Sequence, residues 1–87
     1  MSESLIERKC SKWAKEQGWL TYKFTSPNNR SVPDRIYIKD GNVVFVEFKA
    51  PGKTPTRLQN RTIKSMREHG VTTIVIDNVE AFKNVMS

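Results

Sequence analysis

Two carboxylates and a lysine are the side chains in this sequence best placed to do chemistry. Glu47-Phe48-Lys49 closes a strand-like run from Val43 to Lys49, and Asp34 opens another from Asp34 to Lys39. Strand periodicity is two, so Glu47 and Lys49 point to the same face. Between the runs lies Asp40-Gly41-Asn42, a strong hairpin signal. A two-residue loop at Asp40-Gly41 sets Asp34 directly opposite Glu47; a loop at Gly41-Asn42 sets it opposite Lys49 and diagonal to Glu47. Either register gathers two carboxylates and an ammonium on one face. A three-residue loop without a bulge would turn Asp34 to the other face.

Carboxylates this close repel, and a hard divalent cation with oxygen ligands, Mg²⁺ or Mn²⁺, relieves the repulsion. Such an ion can polarise a phosphodiester oxygen and supply a hydroxide-like water, while Lys49 positions that water or stabilises charge developing on the phosphate. That is hydrolysis of a nucleic-acid backbone. The bland alternative is a cross-strand charge pattern of Glu47 and Lys49 with Asp34 and Lys39 on a solvated sheet face.

The composition agrees with a polyanionic partner. The chain has 87 residues, 15 Lys/Arg against 9 Asp/Glu, formal charge +6 and 37% hydrophobic residues. These values predict one domain over residues 1–87, with a thin core that buries about 60–65% of the unfolded surface. A sequence pI near 9.8 favours nucleic acid, because each Lys or Arg set against a phosphate releases a counterion. No run of about 18 apolar residues occurs, and Met1-Ser2-Glu3-Ser4 does not open a signal peptide, so no membrane partner and an intracellular, cytoplasmic location are expected. Cys10 alone makes no intramolecular disulfide, and with only His69 beside it builds no zinc site.

The elements that must position these groups read as αβββαβα. Leu5, Ile6, Cys10, Trp13, Ala14 and Gln17 recur at helical spacing until Gly18, with Arg8, Lys9, Lys12 and Lys15 on the other face, which predicts a helix over 3–17. Trp19 to Thr25 alternates as a strand, and Ser26 to Ser31 is a loop. After the hairpin, Thr54 with Pro55 suits the start of a helix that runs to His69 and ends at Gly70. Val71 to Ile76 is a β-branched run typical of a buried strand, and Asp77 or Asn78 can cap a last helix carrying Val79, Phe82 and Val85 or Met86.

Pro33-Asp34 opening one strand and Glu47-Phe48-Lys49 closing the next, in a basic chain of this order, resembles the PD-(D/E)xK nuclease superfamily. Lys23-Phe24, Ser26-Pro27, Val32-Pro33-Asp34-Arg35 and Val46 to Lys53, followed by Gln59, are similar to the stand-alone phage-type VRR-NUC proteins. The resemblance implies an α/β fold with a restriction-endonuclease-like αβββαβ core, a mixed β-sheet flanked by helices. It implies Asp34 and Glu47 as metal ligands, the main-chain carbonyl of Phe48 as a further one, and Lys49 as the catalytic lysine. Glu7 matches the first-helix acid, which reaches the metal through water, and Gln59 the glutamine of the second helix. The implied substrate is branched DNA, such as a four-way junction, and the implied assembly a homodimer of phage or bacterial origin. Ser31 departs from the pattern, standing where the family carries Gly, which predicts a less permissive loop backbone.

Several residues carry a second reading. Ser4-Leu5-Ile6-Glu7 is a capping box that alone would explain Glu7, and Thr56-Arg57-Leu58-Gln59 is another that would explain Gln59. Against capping, Glu7 lies at the margin of the apolar stripe, and Gln59 sits among Leu58, Thr62, Ile63 and Met66. Lys53, Arg30, Arg35 and Arg57 are candidate contacts to DNA phosphates, and Arg57, Arg61 and Lys64 share one helix side. Gly52-Lys53-Thr54 is no phosphate loop for a nucleotide cofactor, because Glu47 occupies the place of the required first Gly. Cys10 and Trp13 read as core, His69 as a helix end, and Asn29-Arg30-Ser31 as a chance glycosylation match. Trp19, Tyr22, Phe24, Tyr37 and Phe45 are the apolar candidates for a dimer interface. The rivals to a nuclease are a nucleic-acid-binding module without catalysis and a structural ribonucleoprotein component.

Overall fold

The computed structural model describes all 87 residues, Met1–Ser87. The elements are α1 (Glu3–Glu16), β1 (Leu20–Lys23), β2 (Arg35–Lys39), β3 (Asn42–Phe48), α2 (Arg57–Glu68), β4 (Thr72–Ile76) and α3 (Val79–Met86). The strands lie in the order β1-β2-β3-β4, with the first two pairings antiparallel and β3–β4 parallel. This is the mixed sheet flanked by helices that the sequence predicts.

Local chemistry sets the boundaries. The N-cap of α1 is Ser2, whose hydroxyl accepts from the Leu5 N–H at 3.2 Å, so the helix begins ahead of Ser4 and the Ser4–Glu7 capping box does not form. Glu7 is thereby released from the cap and lies in the second turn. Thr56, and not Thr54 with Pro55, caps α2, because its hydroxyl accepts from the Gln59 N–H while the Gln59 side chain accepts from the Thr56 N–H. Asn78 caps α3 by accepting from the Ala81 N–H at 2.8 Å. The β2–β3 turn is the two-residue loop Asp40-Gly41, with φ values of 51° and 81° and Lys39 paired to Asn42. Positive φ at both positions fits the twist of a type I′ hairpin.

Helices α1 and α3 cover one face of the sheet. Ile6, Cys10, Ala14, Phe82 and Met86 pack there on Tyr37, Val44, Val46, Phe48 and Ile76. Phe82 sits at the centre, its ring 5.2 Å from that of Tyr37, 6.2 Å from Phe48 and 6.0 Å from Trp13. Truncating a ring so placed costs on the order of 3–5 kcal/mol. The Tyr37 hydroxyl meets that of Ser11 at 2.9 Å, which satisfies a polar tip in the core. Tyr37 and Trp19 are buried here, and this removes both from the candidate dimer surface.

The opposite face is covered only in part. Among the strands, helix α2 packs on β4 alone, with Ile63 and Thr73 buried. Beyond it, Phe24 and Phe45 form an edge-to-face pair at 5.0 Å, and Leu20, Tyr22 and Val43 are 49%, 58% and 40% exposed. No helix is long and apolar enough to cross a membrane.

Candidate active site

Pro33, fully buried, fixes the chain's entry into β2. Asp34 follows with both main-chain groups used: its N–H donates to the Val46 carbonyl at 3.0 Å, and its carbonyl accepts from the Phe24 N–H at 2.8 Å. The antiparallel register, continued from Arg35–Val46, sets Asp34 beside Glu47. Asp34 Oδ2 then accepts from the Phe48 N–H at 2.8 Å, so the side chain takes up the next donor of β3.

Glu47 is 2% exposed, and its Oε1 is buried without a hydrogen-bond partner. Oε2 lies 3.7 Å from Lys49 Nζ, a charge pair too long for a hydrogen bond. Burial, then the neighbouring Asp34 charge, push the Glu47 carboxyl up to about 7 against the opposing pull of Lys49. Burial also raises Asp34, opposed by the Phe48 N–H and reinforced by the Glu7 and Glu3 charges. The structure therefore brings together Asp34, Glu47 and Lys49. It also overturns the solvated-face alternative, because Glu47 is buried and Lys39 points elsewhere, donating to the Gln17 carbonyl at 2.7 Å.

Glu7 reaches this neighbourhood through its charge and is held by two cations. Its Oε2 lies 2.6 Å from Lys23 Nζ and 2.7 Å from Arg35 Nε. Burial works against ionisation, but Lys23 and Arg35 outweigh it and hold the Glu7 carboxyl below its ordinary value. Arg35 also donates to Thr21 Oγ1 at 3.2 Å. Its guanidinium is thus engaged inside the fold, which competes with the phosphate contact expected of it. Sequence reasoning quoted Lys23 in the Lys23-Phe24 motif but did not name it as a site residue; the structure sets it directly across from Arg35 in the β1–β2 register.

Gln59 is not joined to the carboxylates. Its Oε1 accepts from the Thr56 N–H at 2.9 Å, and the residue lines a cleft of about 670 Å³ between the loop at Asn28–Ser31 and α2, together with Arg30 and Arg61. Leu58 on the same turn is exposed, contrary to its expected packing. Ser31 closes the cleft by meeting Thr62 Oγ1 at 2.6 Å and donating from its N–H to Asn29 Oδ1 at 2.9 Å. Ser31 has no positive φ, so the serine is accommodated without backbone strain. Lys53 is exposed on the loop after β3, where the Gly52 N–H donates to Asp77 Oδ2 at 3.1 Å. Arg57 opens α2 beside Arg61 and Lys64 on an open groove.

No group of three or more His, Cys, Asp or Glu side chains converges on one point. Asp34 and Glu47 nevertheless offer hard oxygen donors of the kind Mg²⁺ or Mn²⁺ takes, and the orphaned Glu47 Oε1 is an acceptor awaiting a partner. The residues fit such an ion.

No family model matches the chain. A protein of Acyrthosiphon pisum secondary endosymbiont phage 1, named "Putative nuclease p44", is 39% identical over 77 residues, which is 87% of this chain and 83% of that protein. Two solved structures share the fold. A VRR_NUC domain superposes with a TM-score of 0.88 at 20% identity, covering 97% of this chain and 92% of the other. A VRR_NUC domain protein does so with a TM-score of 0.78 at 14% identity, covering 98% and 85%. With motifs and fold in agreement, the chain belongs to the nuclease family of that phage relative and has the fold of the VRR_NUC domains.

Proposed function

We propose that this chain is a metal-dependent endonuclease of the PD-(D/E)xK type, hydrolysing phosphodiester bonds of branched DNA such as four-way junctions with Mg²⁺ or Mn²⁺. The observation that carries the reading is the buried, unpartnered Oε1 of Glu47 beside Asp34. Such an oxygen costs about 1–3 kcal/mol unless something completes it. Asp34, Glu47 and the main-chain carbonyl of Phe48 would hold the ion, with Glu7 reaching it through water. When bound, the ion polarises a phosphate oxygen and lowers the pKa of its water. Lys49 orients the attacking water or offsets charge gathering on the phosphate, from a position held near the Glu47 carboxylate. The Phe48 N–H keeps Asp34 turned toward β3. Gln59 keeps its amide NH₂ for substrate, since only its oxygen is used in the cap. Arg30, Lys53 and Arg57 take DNA phosphates, and a homodimer brings two such sites to one substrate.

The test is incubation of pure protein with labelled duplex, single-stranded and four-way-junction DNA, and with RNA, in Mg²⁺, Mn²⁺ or EDTA. Junction cleavage in either metal and none in EDTA is expected. Binding without cleavage in any metal would turn the reading into that of a non-catalytic binding module.

A further inference from the structure

We infer that the flank of α1 carrying Arg8, Lys12 and Lys15 is a second nucleic-acid backbone tract, engaging a different DNA arm from the α2 strip of Arg57, Arg61 and Lys64. This rests on the DNA reading above and adds to it the surface and the arm. The three residues are spaced i, i+4, i+7, so they share one side of the helix over about 10 Å of rise, roughly three phosphate steps of a duplex strand. All three are exposed, and none takes part in an ion pair. They line a polar cleft of about 510 Å³ with Lys23 and Arg35, and no hydrophobic residue contributes to it. Glu7 in that cleft is already bound to Lys23 and Arg35, which leaves Glu16 as the one carboxylate facing three unpaired cations. A cleft so lined excludes an apolar docking segment and suits a chain of phosphates.

Position turns the charge into a track. Arg35, which lines the cleft beside the basic flank, directly follows Asp34 in the chain and is tied to α1 by the Glu7 carboxylate at 2.7 Å, so the cleft opens next to the carboxylate site. The α2 strip lies on the other side of the sheet, because α1 packs on β1 and β3 from one face and α2 on β4 from the other. DNA that meets both strips and presents a phosphate to Asp34 and Glu47 changes direction at the carboxylates, as the arms of a branch do.

The test is fluorescence anisotropy in EDTA with a labelled four-way junction and a labelled duplex, over a salt series, for the wild type and the variant Arg8→Gln, Lys12→Gln, Lys15→Gln. The side chains are exposed, and circular dichroism checks that the fold is kept. On the junction, the slope of log affinity against log salt should be shallower by about 2.7 and low-salt affinity lower by tenfold or more. On the duplex, which engages one strip at a time, the loss should be smaller. Equal junction slopes for the two proteins overturn the tract. So does an α1-dependent binding of phosphatidylserine vesicles with no α1 dependence on DNA. A wild type that never cleaves with Mn²⁺, yet shows the slope difference, refutes the nuclease reading and keeps the tract.

Discussion

Asp34 Oδ2 and the Phe48 N–H are joined at 2.8 Å, so the acid that opens β2 is tied to the peptide lying between Glu47 and Lys49. One main-chain donor thereby holds Asp34 against the end of β3, where Glu47 and Lys49 flank it, and the Phe48 ring, buried near Phe82, anchors that donor from the core side.

Asp34→Asn retains an oxygen that can accept from Phe48 while removing the charge a cation needs. It is expected to keep the melting temperature within a few degrees and to lose cleavage on the order of 10³-fold. DNA affinity in EDTA should hold or rise, since one fewer carboxylate repels phosphate. Wild-type turnover in this variant refutes the metal site.

Lys49→Ala should lower turnover by about 10²-fold or more with little change in Mn²⁺ affinity measured by calorimetry, because the lysine acts on water or phosphate and not on the ion. Lys49→Arg should not rescue it. The guanidinium is planar and bulkier than an ammonium point charge, and the Lys49 side chain is largely enclosed. Full rescue by arginine would make Lys49 a phosphate anchor.

Glu47, raised to about 7 from an ordinary 4.5, binds a proton in the folded chain that the unfolded chain has already lost. The metal-free protein should therefore lose stability as pH rises from about 4.5 to 7, and Asp34, also raised, acts in the same direction at lower pH. Melting scans in EDTA between these pH values measure the effect, and Glu47→Gln should flatten the profile and raise stability at pH 8. Protons compete with the cation for the same oxygens, so Mn²⁺ affinity should climb with pH and level off above about 7. A flat Mn²⁺ affinity across that window contradicts the assignment.

The hairpin and the shared face of Glu47 and Lys49 were legible in the sequence, because Asp40-Gly41 specifies a tight turn and strand alternation does the rest. The choice between two turn registers was not. It was resolved only by the positive φ at Asp40 together with Gly41. Ser2 and Ser4 are equal cap candidates by type, and the structure alone distinguishes them. At α2 the box of Thr56 with Gln59 was visible beside the misleading Thr54-Pro55. The Glu7–Arg35 pair joins residues 28 apart from a helix and a strand, and its geometry has no local signal. Nor does sequence give the depth at which Glu47 is buried, which separates a solvated charge pattern from an orphaned carboxylate.

Glu7→Gln should leave Lys23 and Arg35 facing a neutral amide. The pair is only partly shielded, so the cost is about 1–2 kcal/mol, or a fall of roughly 5–10 °C in melting temperature. On the proposed site, in which Glu7 reaches the metal through water, cleavage should fall as well, and the Lys23 and Arg35 pairs that hold the β1–β2 edge are weakened with it. An unchanged melting temperature would show that the ion pairs contribute nothing to the fold.

A homodimer is expected to form through the sheet face that α2 leaves open. Leu20, Tyr22 and Val43 lie exposed there beside the Phe24–Phe45 pair, on an edge strand and its neighbours, in a chain whose core is too small to cover them. A two-fold contact on this face is self-complementary, hides the apolar side chains and holds two carboxylate sites at fixed spacing, as paired cuts on opposing strands require. Light scattering at micromolar concentration should give twice the 10.0 kDa chain mass. Leu20→Lys with Tyr22→Glu should return the chain to monomer, keep its circular dichroism and convert paired incisions into single nicks. A wild-type monomer that still makes paired incisions refutes the dimer.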